Sequence, residues 1–448
     1  MVTLFAAWHA RSLMRRERYA DARRVLEGLA RRGVRPAATH YQCAVCCFRL
    51  DDMPAARLHL HAALRHDAGP RMTAAVLELT NHRMIASHAW FNAWPCFSPA
   101  GDLLAFTSAR DTRGGVVPTA RHRAGLYIYD RGREQETCLA DRAHYVLPRF
   151  SPDGSCIACL SVRNGSTEAS HAGLYLIDVR SGAERELLAP LHRVKHHRFM
   201  PDGTTIIYSG WGPHSTSSGI YAVSVETGVV TPLVQGLYET TFPDISPDGR
   251  FLVYSSWRRD HNRDGHIDFH DYSCVYLKDL VSGREDVIAP EQFNSMFPRF
   301  SPDGGRVVYA SIRRDTNRDG TVDLADNAGL YLYDRAGATE RCVADDHGSN
   351  RFPAFCPDGK RIVCIARRAQ REAKLRQKGV YAVDLARGTR TTIMPETYYG
   401  CWAPAVDPAG TSVAYVSWRG ASGRGLFVAR MDRLPSPDQL HCSIDENL

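Results

Sequence analysis

The chain has 448 residues, of which 44% are hydrophobic and 23% charged, as in ordinary globular proteins. This composition excludes a wholly disordered chain and a fibrous repeat, and the length allows two or three domains. Lys and Arg (56) exceed Asp and Glu (49) by seven charges, and the basic residues are mostly scattered Arg, so we expect no nucleic-acid partner.

The sequence shows neither a membrane span nor a secretory signal. No apolar run reaches the roughly 18 residues that a spanning helix needs, and the apolar start at residues 4–8 is followed by His9 and Arg11. The 13 cysteines are odd in number and irregularly spaced, which is typical of reduced, buried thiols. We therefore expect a cytoplasmic protein, and a periplasmic one only if the true start lies upstream of Met1.

Residues 1–72 are rich in Ala, Arg and Leu and show helical periodicity. Small or apolar residues recur at a 34-residue offset, as in Ala22 with Ala56 and Leu26 with Leu60. That offset is the tetratricopeptide period, and it predicts helices at 17–32 and 54–66, with a capping helix at 73–79 inside a 73–80 linker. The usual first-helix Trp and Tyr are missing, so another pair of helical hairpins is the alternative. Two repeats are too few for independent stability, which predicts packing against the rest of the chain or a partner.

His40, Cys43 and Cys47 share one face of this helical stretch, and Cys46 adjoins them. These residue types bind zinc, but a structural zinc site normally takes a second ligand pair from elsewhere in the sequence. The candidates for that pair are His59 and His61. Buried thiols of a helical hairpin are the interpretation that the spacing favours, with a metal site as the alternative.

One phrase, an apolar residue followed by Ser-Pro-Asp-Gly or a close variant, recurs seven times in the rest of the chain. Successive copies are 46 to 55 residues apart and begin at Phe97, Phe150, Phe199, Ile245, Phe300, Phe355 and Val406. Two strand-like runs follow most copies. The second run often starts with Gly, then an apolar residue, then Tyr. Ser-Pro-Asp-Gly suits a type I turn between antiparallel strands, and four short strands in about 50 residues match one propeller blade.

The repeat therefore predicts a mainly β fold, a seven-bladed β-propeller preceded by a small α-helical repeat segment. A sandwich of independent hairpins is the poorer alternative, because sandwiches do not repeat one phrase at a nearly constant period. The phrases resemble the WD-repeat-like blades of TolB-type β-propellers over residues 81–432. TolB itself has six blades, whereas this chain has seven phrases.

We expect the ring to close with a strand from its N-terminal edge. In interior blades an apolar residue of the fourth strand lies ten or eleven residues before the aligned Pro, and Ile85 stands in that relation to Pro95. The seventh blade ends its third strand near Ala429, and only a polar tail at 433–448 follows. Residues 81–86 are therefore predicted to supply the missing fourth strand, which would remove an exposed sheet edge.

Two loops in neighbouring blades carry the spacing of calcium ligands. Oxygen-bearing side chains stand at positions 1, 3, 5, 9 and 12, Gly stands at 6, and position 7 offers a backbone carbonyl. The first loop has Asp260, Asn262, Asp264, His266, Asp268 and Asp271, and the second has Asp315, Asn317, Asp319, Thr321, Asp323 and Asp326. Calcium takes about six to eight oxygens, which such a loop can wrap around it.

The pattern resembles EF-hand and especially dockerin-type loops, because position 12 is Asp rather than the usual Glu. This resemblance implies two Ca²⁺ sites. The alternative is a pair of metal-free Asp/Asn/Gly turns.

No sequence motif for covalent chemistry is present: there is no Gly-x-Ser-x-Gly, phosphate loop or dinucleotide fingerprint. We therefore expect a non-enzymatic calcium-binding scaffold for a protein or peptide, bound on the channel-mouth face and the helical segment. The alternative is a metal- and His-dependent polysaccharide lyase, like the oligogalacturonide lyases that share TolB-like blades. It would need several His at the channel, where only His144 and His196 stand at comparable positions.

In the third blade, Lys195, His196 and His197 replace the usual aromatic-Pro pair. We expect residues shortly before each aligned Pro to ring the channel mouth: Asn92, Tyr145, Lys195, Thr241, Met296, Arg351 and Trp402.

Overall fold

The fold is known from a computed structural model. It describes residues 6, 9–10, 12–14, 16, 18–49, 53–66, 82–86, 91–110, 124–162, 172–212, 218–237, 239–267, 271–345, 348–368, 378–394, 399–418 and 424–431. None of the helices found in these ranges combines the length and the apolar character that crossing a membrane requires. By internal contacts the chain divides into two units, residues 1–84 with 432–448 and residues 85–431.

The described residues of the first unit form three long helices: α1 (Tyr19–Arg31), α2 (Pro36–Arg49) and α3 (Met53–His66). The helices predicted at 17–32 and 54–66 correspond to α1 and α3. The predicted capping helix at 73–79, the linker around it and the tail at 433–448 lie outside the described residues.

The apolar stripe of α1 explains how this unit packs. Ala22, Leu26 and Leu29 recur at three- and four-residue spacing, so they share one helix face, and all three are buried together with Cys43 and Cys46 of α2. The helical segment thus has its own small core.

The second unit is a seven-bladed antiparallel propeller, which confirms the predicted fold class. Blades 2 to 6 are separate four-stranded sheets, and a parallel bridge between Phe91 and Arg424 links blades 1 and 7 into one larger sheet. A first strand, β1 (His82–Ala86), precedes the blades. Blades 1 to 3 consist of β2 (Phe91–Phe97), β3 (Leu103–Ala109), β4 (Gly125–Asp130) and β5 (Gln135–Ala140); β6 (His144–Phe150), β7 (Cys156–Val162), β8 (Gly173–Asp178) and β9 (Glu184–Leu188); and β10 (His196–Phe199), β11 (Thr205–Trp211), β12 (Ser218–Ser224) and β13 (Val230–Leu237).

Blades 4 to 6 consist of β14 (Glu239–Ile245), β15 (Phe251–Trp257), β16 (Ser273–Asp279) and β17 (Glu285–Val287); β18 (Asn294–Phe300), β19 (Arg306–Ile312), β20 (Gly329–Asp334) and β21 (Thr339–Ala344); and β22 (Gly348–Phe355), β23 (Arg361–Arg368), β24 (Lys378–Asp384) and β25 (Arg390–Met394). Blade 7 contains β26 (Tyr399–Val406), β27 (Ser412–Trp418) and β28 (Arg424–Arg430).

β1 takes the place of the fourth strand in blade 7. It pairs with β28, and Ile85 and Ala86 pack in one core cluster with Val416, Leu426 and Val428. The segment that the sequence assigned to ring closure is therefore the one that lies beside the last blade.

The Ser-Pro-Asp-Gly phrase makes both a turn and a contact between blades. In blade 2, the N–H of Gly154 donates to the carbonyl of Ser151 (2.9 Å), and Gly154 has a left-handed φ of +74°. A Cβ added to the Gly of any of the seven copies would lie 3.2–3.8 Å from a ring carbon of the Pro in the preceding copy. The last such contact joins Gly101 of blade 1 to Pro408 of blade 7, so the chain of contacts runs round the whole ring.

Candidate functional site

The two predicted calcium loops lie at the same end of the propeller. One connects β15 to β16 and the other connects β19 to β20, in neighbouring blades 4 and 5. Because antiparallel strands alternate in direction, this is the end where the chain crosses between blades, opposite the Ser-Pro-Asp-Gly turns. The hydroxyl of Tyr272, next to the first loop, donates to the carbonyl of Val322 in the second (3.1 Å). The second loop also contacts blade 6, where Arg351 donates to the carbonyl of Leu324 (3.4 Å).

The first and last carboxylates of the first loop hold its backbone. Oδ2 of Asp260 accepts a hydrogen bond from the N–H of Gly265 (2.8 Å), which has a φ of +86°. Asp271 is fully buried, and its Oδ1 accepts from the N–H groups of His261 (2.7 Å) and Asn262 (3.2 Å). These bonds fold the loop over its position-12 side chain.

The second loop repeats this frame residue for residue. Oδ2 of Asp315 accepts from the N–H of Gly320 (2.9 Å), whose φ is +93°. Asp326 is only 1% exposed, and its Oδ1 accepts from the N–H groups of Thr316 (2.6 Å) and Asn317 (3.0 Å). The equivalence of the two loops therefore extends from sequence to hydrogen bonding.

The residues at positions 3 and 5 lie close together at the surface. The side-chain amide of Asn262 donates to Asp264 Oδ2 (3.0 Å), and that of Asn317 donates to Asp319 Oδ2 (2.8 Å). Hydrogen bonds from the hydroxyl and the N–H of Thr321 lower the pKa of Asp319.

The other predicted ligands have distinct places. Oδ1 of Asp264 accepts from the N–H of His266 (2.8 Å), and Oδ1 of Asp323 accepts from the N–H of Ala325 (2.7 Å), while Asp268 lies outside the described residues. Within the described ranges, no three His, Cys, Asp or Glu side chains form a group that could hold a metal ion. The donor set fits a hard cation in kind, since the side chains at positions 1, 3, 5 and 12 all offer oxygen.

In the helical segment the thiols belong to the core. Burial raises the pKa of Cys43 to about 12 and that of Cys46 to about 11, so both are uncharged at neutral pH. The structure does bring His40 to His59, with 2.9 Å between their Nδ1 atoms. The side chain of His61 lies outside the described part.

The channel wall differs from the prediction. Asn92 and Tyr145 are fully buried, and the Tyr145 hydroxyl donates to Glu184 in the outer strand of its own blade. Both stand three residues before the aligned Pro, whereas the other five predicted residues stand two before it or before His197. The residues three before the Pro are also buried in blades 4 to 6, namely Thr240, Ser295 and Asn350. The inner strand has a bulge at the aligned Pro itself, because Pro cannot donate to the ladder. The side chain of Trp402 lies outside the described part of the chain.

In blades 3 to 6 the residue before the aligned Pro, or before His197 in blade 3, forms an aromatic girdle, which we define as His196, Phe242, Phe297 and Phe352. Neighbouring rings in this girdle are 4.3–4.4 Å apart between centroids. The three Phe residues have left-handed φ values of +52° to +60°. The girdle was not foreseen, although the repeated aromatic-Pro pair was its signal.

The histidines of the channel wall are engaged with their neighbours. Nδ1 of His144 accepts from the N–H of Ala124 (3.3 Å), and Nδ1 of His196 lies 2.8 Å from the hydroxyl of Thr241. The buried His197 places Nε2 3.2 Å from the carbonyl of Ala158.

No protein-family model matches the chain. Over 135 residues it is 35% identical to dipeptidyl-peptidase 5 of Porphyromonas gingivalis. The matched stretch is 28% of this chain and 19% of that protein. Over 64 residues it is 41% identical to the Tol-Pal system protein TolB of Gluconobacter oxydans, 14% of each chain. The chain thus spans less than a fifth of either curated relative.

Two solved structures resemble the fold over most of its length. A manganese complex of an oligogalacturonate lyase matches with a TM-score of 0.58 and 15% identity, covering 79% of this chain and 93% of that one. The β-propeller domain of the Trilobed protease of Pyrococcus furiosus matches with a TM-score of 0.56 and 14% identity, and the match covers 80% of this chain and 99% of that one. At such identities the likeness concerns the fold alone. The chain therefore has the fold of a seven-bladed β-propeller.

Proposed function

We propose that this protein is a non-enzymatic, calcium-binding scaffold that holds a protein or peptide partner at the end of the propeller carrying the two loops. The observation that carries the proposal is the paired loops. Two copies of one oxygen-rich pattern, with one hydrogen-bond frame, lie in adjacent blades and are joined through Tyr272. A face with two matched loops and an adjacent channel mouth is suited to binding a partner.

Calcium would be held by the oxygen-bearing residues of each loop. These are Asp260, Asn262, Asp264, Asp268 and Asp271, with the carbonyl of His266, and Asp315, Asn317, Asp319, Asp323 and Asp326, with the carbonyl of Thr321. Each loop has four carboxylates, whose mutual repulsion a divalent cation would neutralise. Bound calcium would supply that charge and fix the loop backbone for a partner. In the cytoplasm, where we place the protein, the sites must bind at about micromolar affinity or tighter.

The partner surface is proposed to include the rim of the second loop and the helical segment. Leu324, an apolar side chain in that loop, is 41% exposed. The helices α1 to α3, which we take to be tetratricopeptide-like, would offer a second surface, because such repeats bind peptides and proteins.

The experiment is affinity capture of the tagged protein in its native host, with calcium or with a chelator, followed by mass spectrometry. The wild type should retain a partner in calcium and lose it in chelator, and the double variant Asp264→Ala, Asp319→Ala should fail in both. Asp202→Ala, an exposed Asp in the turn of blade 3, is the matched control and should behave as the wild type. The same proteins captured in every arm would contradict the proposal.

A metal- and His-dependent polysaccharide lyase is the second candidate, favoured by the place of His196 in the girdle beside Phe242. This candidate predicts turnover of a polyuronide that is lost in His196→Ala. The scaffold proposal predicts no turnover by the wild type or by His196→Ala, so one assay separates the two candidate functions.

A further inference from the structure

Three arginines converge in the central channel, one layer away from the girdle. Arg149, Arg198 and Arg299 occupy the same repeat position, directly before the first residue of the phrase, in the inner strands of blades 2, 3 and 5. All three line one small pocket together with His196 and Phe242. At the equivalent position of blade 4 the residue is Asp244.

The positive charges of this arginine cluster exceed its negative charges by two. Arg198 forms an ion pair with Asp244 (Nε to Oδ1, 3.2 Å), and the other oxygen of Asp244 accepts from the N–H of Phe300 (2.9 Å). Arg299 donates to the carbonyl of Pro298 (2.8 Å). Arg149 has no hydrogen-bond or ion-pair partner among the described residues.

This excess charge is unfavourable in the absence of a ligand. Burial, together with the neighbouring arginines, lowers the pKa of Arg198, and burial likewise lowers the pKa of Arg299. The adjacent histidines do not offset the charge because they cannot become anionic. An arrangement of three half-buried guanidinium groups with one carboxylate therefore favours the arrival of an anion.

A cavity leads from the Ser-Pro-Asp-Gly end of the propeller to this cluster. Its volume is about 330 Å³, near the lower end of the range for small-molecule sites, roughly 300–1,000 Å³. Arg149 and Arg198 lie at its wall, which is otherwise built from phrase residues including Phe150 and Phe199.

One further carboxylate, Asp407, lines the cavity, but it is already engaged. It lies 3.4 Å from Arg131 and accepts hydrogen bonds from the N–H groups of Thr411 (2.8 Å) and Ser412 (2.9 Å). Asp407 therefore leaves the two excess charges of the arginine cluster uncompensated.

We propose that this end of the channel binds a small oxyanion, a carboxylate or a phosphate, in this cavity against Arg149 and Arg198, with Arg299 adding its charge from the adjoining small pocket. Guanidinium groups suit both, because their planar donor pairs match the spacing of two oxyanion oxygens. A doubly charged anion balances the cluster, and the aromatic walls accommodate a short carbon skeleton. The site lies at the opposite end of the propeller from the calcium loops and is independent of the function proposed above.

The test is calorimetric titration of the full chain in chloride buffer with inorganic phosphate and, separately, with succinate. The wild type should bind one equivalent of at least one anion, and the arm that binds more tightly identifies phosphate or carboxylate as the ligand group. Arg149→Gln should weaken binding about 10- to 100-fold, the loss that one or two charge-assisted hydrogen bonds represent.

Thermal unfolding gives a second readout, because Arg149→Gln should weaken anion binding but should not lower the stability of the anion-free protein. Without anion, Arg149→Gln should melt at or above the temperature of the wild type, because it removes an uncompensated half-buried charge. Anion should then raise the melting temperature of the wild type and raise that of the variant by less at the same concentration. Arg180→Gln, at an exposed Arg of the turn between β8 and β9, is the control and should respond as the wild type does. Absence of binding to both anions at millimolar concentration, or unchanged affinity in Arg149→Gln, would overturn the proposal.

Discussion

His197 stands where the other six blades have Pro, and this exchange changes both the strand and its pH response. β10 pairs with β11 without the bulge found in its neighbours, since His197 has the N–H that Pro lacks. Burial and the nearby Arg149 lower the pKa of His197 to about 3. The side chain is only 3% exposed, so it remains neutral in the folded protein across the physiological range.

The lowered pKa predicts loss of stability in acid. An unfolded His titrates near 6.5, so below that pH the unfolded chain binds a proton that the folded chain refuses until about pH 3. The contribution of His197 is therefore complete above pH 6.5 and falls between pH 6.5 and 3, by at most about 1.4 kcal/mol per pH unit. His197→Gln should flatten the dependence of the free energy of unfolding on pH in this range. Parallel profiles for wild type and His197→Gln would contradict the assignment.

The glycine of the repeated phrase is required by conformation and by contact. Gly304 has a φ of +69°, and a Cβ there would lie 3.2 Å from Pro247 of the preceding blade. Gly304→Ala should therefore cost about 1–2 kcal/mol of unfolding free energy, mainly for the left-handed conformation. Gly305→Ala is the control, because its added Cβ meets only the side chain of Asp303 at 3.5 Å. If urea unfolding shows equal losses of unfolding free energy for the two variants, the proposed requirement for Gly at position 304 is wrong.

At the scale of elements, the ring closure can be tested by paired deletions. Removing residues 1–70 leaves β1 in place, whereas removing residues 1–87 deletes the strand that pairs with β28. The longer deletion exposes the edge of β28 and the core around Leu426 and Val428, so it should lower the melting temperature or prevent folding. The shorter one should retain a cooperative transition of the propeller. Thermal scans that show equal stability for both deletions would refute the closure.

Blades and turns could be predicted from the sequence because each depends on local chemistry that is repeated seven times. Pro and Gly specify the turn at a fixed place in the phrase, and the alternating apolar runs specify strands. The prediction of the channel wall mixes two positions of the repeat, since Asn92 and Tyr145 stand three residues before the aligned Pro and the other five candidates two. Side chains alternate between the faces of a strand, so one residue of offset moves a side chain to the other face, and Asn92 and Tyr145 are fully buried.

The arginine cluster was missed although its signal is in the sequence. Arg149, Arg198 and Arg299 each immediately precede the first residue of the phrase, at Phe150, Phe199 and Phe300. Only closure of the ring brings blades 2, 3 and 5 around one axis, so residues distant in the chain become neighbours. Comparing the seven repeats position by position would have shown Arg at this position in three blades and Asp in a fourth.

At the scale of the whole molecule, the two ends of the propeller differ in chemistry. The Ser-Pro-Asp-Gly end joins all seven blades through Gly–Pro contacts and opens on the arginine cluster. The opposite end carries the two acidic loops of blades 4 and 5. The central claim is that calcium fills these loops and orders that end for a partner.

Calorimetric titration of the purified chain with calcium tests this claim most directly. We expect two sites, with Asp264→Ala and Asp319→Ala each removing one. We also expect a rise in melting temperature with calcium, since a ligand present at a hundredfold excess over its Kd stabilises the fold by about 2.7 kcal/mol. No heat and no rise in melting temperature at millimolar calcium would show that the loops are metal-free turns and would refute the proposed calcium sites.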